Sequence, residues 1–405
     1  MPHACRALTQ SAETILDDIR GFNAFGGTTL SFTDLDIPYL VNEFWTAGQR
    51  QSHAIQEISY RACFKAQLPE FFIGRLTAPG EAVHDPFMGR GTTPIQAALM
   101  GRRPLGNDIN PLSALLTRPR LAPPPLAALE PRLRSVPWDT GRIERDDLLA
   151  FYHPDTLRQI GALKSWLARR APLHETAPDP VDDWIRMVAL NRLTGHSPGF
   201  FSGRTMPPNQ AVSIDAQIRM NAKSGLPPPP RDVAALIMKK SRSLLKDGAP
   251  PAHPLALLSA GPAAATCAIA GGSVALTVTS PPFLDIVHYA DDNWLRCWFA
   301  GIDISMINMA MHRTPAAWME MVRAVLVEQA RIVRPGGHVA FEVGEVRGGK
   351  IRLETLVWQA ASGLPFERLA VIVNQQAFTK TANCWGVSNN AAGTNTNRIV
   401  LLRRS

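Results

Sequence analysis

The sequence predicts a doubly wound α/β sheet interrupted by a long, mainly helical insertion. Two stretches carry the prediction. Around residues 82–109, a buried strand end, a glycine turn, a helix and a second strand follow one another with short connections. From residue 273 onward a similar alternation of strand and helix resumes. Between them, residues 113–250 lose the alternation and carry proline clusters at Pro123–Pro125 and Pro227–Pro230.

Taken in chain order, residues 1–75 show weak periodicity and end in a helix around Leu68 to Leu76, with apolar Leu68, Phe71, Phe72 and Leu76 on one side. Ala82, Val83 and Phe87 surround a buried strand end, Gly89 and Gly91 make a tight loop, and Pro94 to Met100 read as a helix stopped by Gly101. Pro104 to Ile109 is the second strand. The insertion holds a helix over Trp184 to Leu193 and an aromatic and glycine patch at Gly199 to Gly203. Ser273 to Val278 is a strand that runs into T-S-P-P-F. Thr314 caps, and Pro315 opens, a helix reaching about Val333. Gly336-Gly337 turns the chain into a strand over His338 to Val343. Closing strands fall at Arg368 to Val373 and Arg398 to Leu402, around the polar loop Asn383 to Asn397.

Composition narrows the partner. The 405 residues carry 42 Lys and Arg against 34 Asp and Glu, a net charge of +8, and 34 of the 42 cations are Arg. Arginine suits bidentate contacts to phosphate and base edges, so the bias fits a nucleic-acid partner; a GC-rich genome produces the same bias. The five cysteines, Cys5, Cys63, Cys267, Cys297 and Cys384, have no zinc or disulfide spacing, and His196, His288 and His312 have no ligand spacing, so no metal is expected. No leader and no run of 18 apolar residues is present, which points to a cytoplasmic protein that does not span a membrane.

Two constellations carry chemistry. In D-P-F-M-G-R-G-T-T, Asp85 to Thr93, the glycines allow backbone conformations and close approach that a Cβ forbids, and the next helix offers free N–H groups. Asp108 lies 17 residues beyond Gly91, near the offset at which an acid reaches ribose hydroxyls in nucleotide-binding α/β folds; an ordinary glycine turn with a surface Asp is the alternative. In T-S-P-P-F, Thr279 to Phe283, consecutive prolines lock an extended backbone and leave carbonyls free as acceptors. Ser280 and the Pro281 carbonyl can then grip an exocyclic amine beside the Phe283 ring, unless the aromatic simply packs in the core.

Asp85 to Thr93, G-N-D-I-N-P (Gly106 to Pro111), T-S-P-P-F and R-I-V-R-P-G-G (Arg331 to Gly337), in that order, resemble the amino-group DNA methyltransferases that use S-adenosyl-L-methionine. The S-P-P-F form is most similar to the cytosine-N4 branch; the adenine-N6 branch usually carries D-P-P-Y or N-P-P-Y/F. The resemblance covers roughly residues 50–112 and 270–402. It implies a class I, Rossmann-like methyltransferase fold with a mostly parallel seven-stranded sheet and a helical insertion. Cofactor contacts would come from Asp85, Phe87, Gly89, Gly91, Thr92 and Asp108, with Lys65 and Gln67 as looser candidates. The catalytic tetrapeptide would be Ser280, Pro281, Pro282 and Phe283. Where many relatives carry an adenine-binding acid, this chain has Ser259-Ala260-Gly261.

The implied organisation is a cofactor-binding half over 1–112, a target-recognition insertion over 113–255 and a catalytic half over 256–405. The 189 residues from Gly91 to Ser280 leave room for that insertion. Its cations Arg186, Arg192, Arg204, Arg219, Lys239, Lys240 and Arg242 are candidates for double-stranded DNA, with Arg204, Lys239 and Lys240 foremost. Phe200, Phe201 and Met206 are candidates to stack at a flipped-base gap. A solvated basic helical subdomain with an aromatic mini-core fits the same residues. Asp285, Asp291 and Asp292 could orient substrate or cap the helix holding Trp294 and Trp298. No Pro-Cys dipeptide is present, which disfavours carbon-5 methylation of cytosine. A cognate restriction endonuclease is a further partner the family suggests. The rival functions are adenine-N6 methylation, methylation of a structured RNA, and a catalytically silent nucleic-acid-binding module.

Overall fold

Strand order places the two motifs side by side. The computed structural model describes residues 11–46, 52–61, 63–175, 177–206, 211–251, 253, 255–284, 289–307, 312–346, 351–375 and 396–405. Asp285, His288 and nearly all of the polar loop at 383–397 therefore lie outside the described residues, as do Cys5 and Cys384.

Helix α1 (Ala12–Arg20), capped by the Ser11 hydroxyl, leads to strands β1 (Leu30–Asp34) and β2 (Ile37–Asn42). Next come α2 (Gln67–Leu76), β3 (Ala82–Asp85), α3 (Thr92–Leu99), β4 (Arg103–Asp108) and α4 (Leu112–Leu121). The insertion contributes α5 (Leu129–Arg134), α6 (Pro154–Arg170), α7 (Pro180–Arg192), α8 (Ile214–Ser224) and α9 (Val233–Leu244). The chain then forms β5 (Leu257–Ala260), β6 (Val274–Thr279), α10 (Tyr289–Ala300), α11 (Pro315–Ile332) and β7 (Val333–Val343). It ends with β8 (Glu345–Val346), β9 (Ile351–Arg352), α12 (Leu353–Ala360), β10 (Phe366–Gln375) and β11 (Thr396–Arg404).

The main sheet runs β5-β4-β3-β6-β7-β11-β10-β2-β1. Strands β3 to β7 pair in parallel, and β11 is antiparallel to both β7 and β10. The first seven strands in this order form the class I methyltransferase sheet. The sheet is larger than the expected seven strands because the β1–β2 hairpin extends it to nine, with β2 parallel to β10. That hairpin turns at Leu35 and Asp36, both with positive φ (50° and 58°). Such a turn normally announces itself by Asn-Gly or Asp-Gly, and Pro38 inside β2 also argues against a strand.

The central strand β6 is buried along its whole length, as a parallel strand covered on both faces must be. On one side Trp318, Val322 and Val325 of α11 pack with Val339 and Phe341 of β7. On the other, Phe72 and Ile73 of α2 and Ala97 of α3 pack with Val83, Leu276 and Val278. The insertion shares an apolar cluster with the core: Leu157, Ile160, Trp184 and Val188 join Ile95, Leu112, Leu116 and Leu295. Arg118 of α4 clasps Asp183 of α7 through two bonds of 2.7 and 2.8 Å.

One buried group makes the fold acid-sensitive. His338 on β7 is 5% exposed, among the described residues neither ring nitrogen has a hydrogen-bond partner, and it pairs in register with Leu276 and Arg403. Burial, then the charges of Arg403 and Arg334, push its pKa down to about 4 from 6.5. The unfolded chain takes up this proton below pH 6.5 and the folded chain does not until about pH 4, so stability falls as pH drops through that window. Between pH 7.5 and 5 the loss from this residue is about 2 kcal/mol. Urea unfolding at the two pH values should show a smaller loss for His338→Leu than for the wild type.

Candidate active site

The sheet reverses its winding between β3 and β6, and in open α/β sheets the crevice at such a switch point is where ligands bind. Here the glycine loop after β3 and the T-S-P-P-F loop after β6 meet. Asp85, 1% exposed at the end of β3, joins them: its carboxylate accepts from the Thr279 hydroxyl at 2.6 Å and from the Phe87 amide at 3.1 Å. The Thr93 hydroxyl donates to the Val278 carbonyl at 3.1 Å. Burial raises the Asp85 pKa to about 7 against these bonds, and the nearby Asp108 charge adds to the rise. Asp85 is thus a brace between the loops.

The loop itself needs its glycines. Gly89 (φ +50°) lies under Tyr60, and a Cβ there would sit 3.5 Å from that ring. Gly91 (φ +80°) caps α3, and a Cβ on it would fall 2.2 Å from the Thr117 hydroxyl oxygen on α4. No side chain caps the first turn of α3, which leaves Thr92 at a helix N-terminus suited to an acceptor. Phe87 is half-buried beside the loop. Asp108, half-buried at the end of β4, accepts from the Gly89 amide at 2.8 Å and the Asn110 amide at 2.9 Å. Burial raises its pKa against those bonds. A carboxylate accepts about four hydrogen bonds, so acceptor capacity is left for a ligand hydroxyl. No acid stands at the end of β5. There the Ser259 hydroxyl donates to Asn107 Oδ1 at 2.8 Å, and Asn107 Nδ2 donates to the Gly261 carbonyl at 2.8 Å.

Across the crevice, Ser280, Pro282 and Phe283 are half-buried and Pro281 is buried. Glu342 of β7, a carboxyl 4% exposed, accepts from Asn397 Nδ2 at 2.9 Å. Burial raises its pKa, and the nearby Ser280 hydroxyl and Asn397 oppose the rise. With Glu342 ionised, the Ser280 hydroxyl can turn its hydrogen toward it and keep both lone pairs as acceptors. The sequence reading missed this partner, although an acid inside V-A-F-E-V was the available signal. Trp318, fully buried on α11, donates its Nε1 hydrogen to the Pro282 carbonyl at 2.8 Å. Trp318→Phe keeps most of the apolar volume and removes that donor, so urea unfolding should show a loss of about 1–3 kcal/mol.

Several expected DNA contacts sit elsewhere. Lys240 is 7% exposed and paired with Glu57 at 3.1 Å, because α9 turns it toward the residues before α2; it is not a surface cation. Arg186 and Arg192 are buried, with Arg186 donating to the Leu167 and Ala171 carbonyls. Phe200 and Phe201 are also buried, Phe200 beneath the Arg192 guanidinium at 4.0 Å, so neither is placed to wedge into a duplex. Arg204, Arg219, Lys239 and Arg242 are exposed. Asp291 is exposed, while Asp292 is buried and paired with Arg61 at 3.0 Å. Among the described residues no group of His, Cys, Asp and Glu could hold a metal ion, and no helix is long and apolar enough to cross a membrane.

The strand order and the two loops at its switch point define a class I methyltransferase fold. Residues 38–114 match the N6/N4 methyltransferase family model, described as DNA methylase. A stretch of 73 residues is 37% identical to the type II methyltransferase M.MjaII of Methanocaldococcus jannaschii, covering 18% of this chain and 14% of that protein. Among solved structures, TrmN from Thermus thermophilus is 11% identical, with 85% of this chain and 50% of that one covered at a TM-score of 0.33. A second Thermus thermophilus protein, described as a DNA modification methylase and crystallised with S-adenosyl-L-methionine, is 20% identical. That likeness covers 36% of this chain and 53% of the other at a TM-score of 0.23.

Proposed function

We propose that this protein transfers a methyl group from S-adenosyl-L-methionine to an exocyclic amine of a base in double-stranded DNA, with cytosine N4 as the target. The observation that carries the reading is Ser280, a neutral acceptor near the buried carboxyl of Glu342 and across the crevice from the glycine loop. The loop residues fit the cofactor: Gly89 and Gly91 keep side chains out of the turn, the α3 N-terminus offers amide donors, and Asp108 keeps acceptor capacity. When bound, the cofactor supplies an electrophilic methyl group.

The chain's own residues would handle the amine. Its lone pair is delocalised into the ring, and in a duplex the base is stacked and paired, so it must be flipped out at a cost of a few kcal/mol. Ser280 and the Pro281 carbonyl then accept the two amine hydrogens, which favours a pyramidal nitrogen with its lone pair free. Phe283 stacks on the ring and fixes its plane. Glu342, through Ser280, can hold the proton that the amine loses. Exposed Arg204 and Lys239 would meet phosphate.

The test is expression of the protein in a host lacking DNA modification, followed by digestion of total DNA and RNA and mass spectrometry of the nucleosides. N4-methylcytosine in DNA is expected. N6-methyladenine would overturn the choice of base, methylation confined to RNA the choice of nucleic acid, and no methylated nucleoside in either would leave a binding module.

A further inference from the structure

Residues 54–61, with 63 and 64, run beside the glycine loop with a single 3-10 turn (Ala54–Gln56) and no sheet partner among the described residues. Buried carbonyls in such a segment must find donors elsewhere. Side chains from separate elements supply them. Arg90, inside the glycine loop, donates to the carbonyls of Ile58 at 2.7 Å and Phe64 at 3.3 Å. Arg120 of α4 donates to the Ile55 carbonyl at 3.1 Å and to the carbonyl of Arg90 itself. Arg296 of α10 donates to the Ser59 carbonyl at 2.8 Å, and Asn191 of α7 bonds to the Ser59 amide and the Glu57 carbonyl.

These guanidinium groups are costly to bury. Arg90 and Arg296 are 8% exposed and Arg120 is fully buried, and among the described residues none of the three lies within salt-bridge distance of a carboxylate. Burial, with Arg90's charge adding, pushes the Arg120 pKa down to about 9. A neutral donor would satisfy one carbonyl at lower cost. An arginine fork instead reaches several acceptors at fixed angles, which suits a segment that has to be held in place. The segment carries Tyr60, whose ring lies against Gly89 on one side and 5.7 Å from the Arg296 guanidinium on the other. Arg296 belongs to α10, the helix that follows the T-S-P-P-F loop.

We propose that residues 55–64 form a strap coupling the cofactor loop to the catalytic side, with Arg90, Arg120 and Arg296 as its positioning residues. The proposal rests on the reading of the glycine loop as the S-adenosyl-L-methionine site. Arg90 fixes the strap to that loop, and Arg296 fixes the same strap to the segment after Phe283. Whatever orders α10 then also orders the wall over Gly89, and the coupling is reciprocal.

The test uses the full chain and four proteins: wild type, Arg296→Gln, Arg296→Lys and Arg90→Lys. S-adenosyl-L-methionine affinity is measured by calorimetry, thermal unfolding is followed in parallel, and amide exchange is recorded over residues 55–64 with and without cofactor. Arg296→Gln should weaken cofactor binding about tenfold and abolish cofactor-induced protection of the strap, and Arg296→Lys, which keeps the charge but not the fork, should fall between. Where Arg296→Gln does not fold, the two lysine variants carry the same measurement. A lower unfolding midpoint with affinity and strap protection unchanged would reduce the arginines to structural glue and overturn the proposal. A wild-type protein that binds no S-adenosyl-L-methionine would remove the cofactor reading and the strap with it.

Discussion

Ser280→Ala is expected to slow single-turnover methyl transfer by about a hundredfold to a thousandfold, the usual loss when one pre-aimed hydrogen-bonding group is removed from a developing charge. Cofactor affinity, measured by calorimetry on the same protein, should stay within about twofold. The split follows from geometry: Ser280 belongs to the loop after β6, whereas the glycine loop is braced by Asp85 through Thr279 and does not use the Ser280 side chain. Glu342→Gln separates two roles of the carboxyl. An amide oxygen can still accept from the Ser280 hydroxyl, so the loop stays in place, but it cannot take a proton. The wild-type rate should fall on the acid side as Glu342, its pKa raised by burial, becomes protonated, and that limb should vanish in the variant, whose rate is low at every pH. A Ser280→Ala protein at wild-type rate would take the loop out of catalysis, and an unaltered acid limb in Glu342→Gln would assign that titration to another group.

Gly91→Ala is expected to abolish measurable cofactor binding and to lower folding stability by about 2–5 kcal/mol, combining the cost of a left-handed non-glycine residue with overpacking. The backbone there has φ +80°, and the new Cβ would meet Thr117 Oγ1 at 2.2 Å and Thr117 Cγ2 at 2.6 Å. Since α4 is clasped to α7 by Arg118 and Asp183, it cannot retreat freely. Adding Thr117→Ala removes both of those atoms but not the Thr117 Cβ at 2.9 Å, so the double variant should recover part of the stability and little of the binding. Full recovery would mean that the positive φ costs nothing here.

The helices and strands around the glycine loop, and α11, were legible because their signals are local. Gly101 stops α3 in the left-handed conformation, and Thr314 with Pro315 starts α11 at the expected residue. Strand β5, four residues long after a proline-rich stretch, offers no alternation to read, and the β1–β2 hairpin lacks a turn dipeptide. Surface and interior cations were not separable, because an arginine that binds carbonyls looks the same in sequence as one that awaits phosphate. Lys240, Arg186 and Arg192 turned inward for that reason.

Residue type and short spacing were enough for the α/β order, the glycine loop at Gly89 and Gly91, and the proline loop at Ser280 to Phe283 after β6. Long-range packing was needed to set Asp85 against Thr279, Glu342 behind Ser280, Trp318 on the Pro282 carbonyl, and three buried arginines on residues 55–64. The partners in those bonds lie from 26 residues apart, for Arg90 and Phe64, to 237, for Arg296 and Ser59, far beyond any local pattern. They exist because the switch point between β3 and β6 gathers distant strand ends, where buried polar groups must find one another once water is excluded.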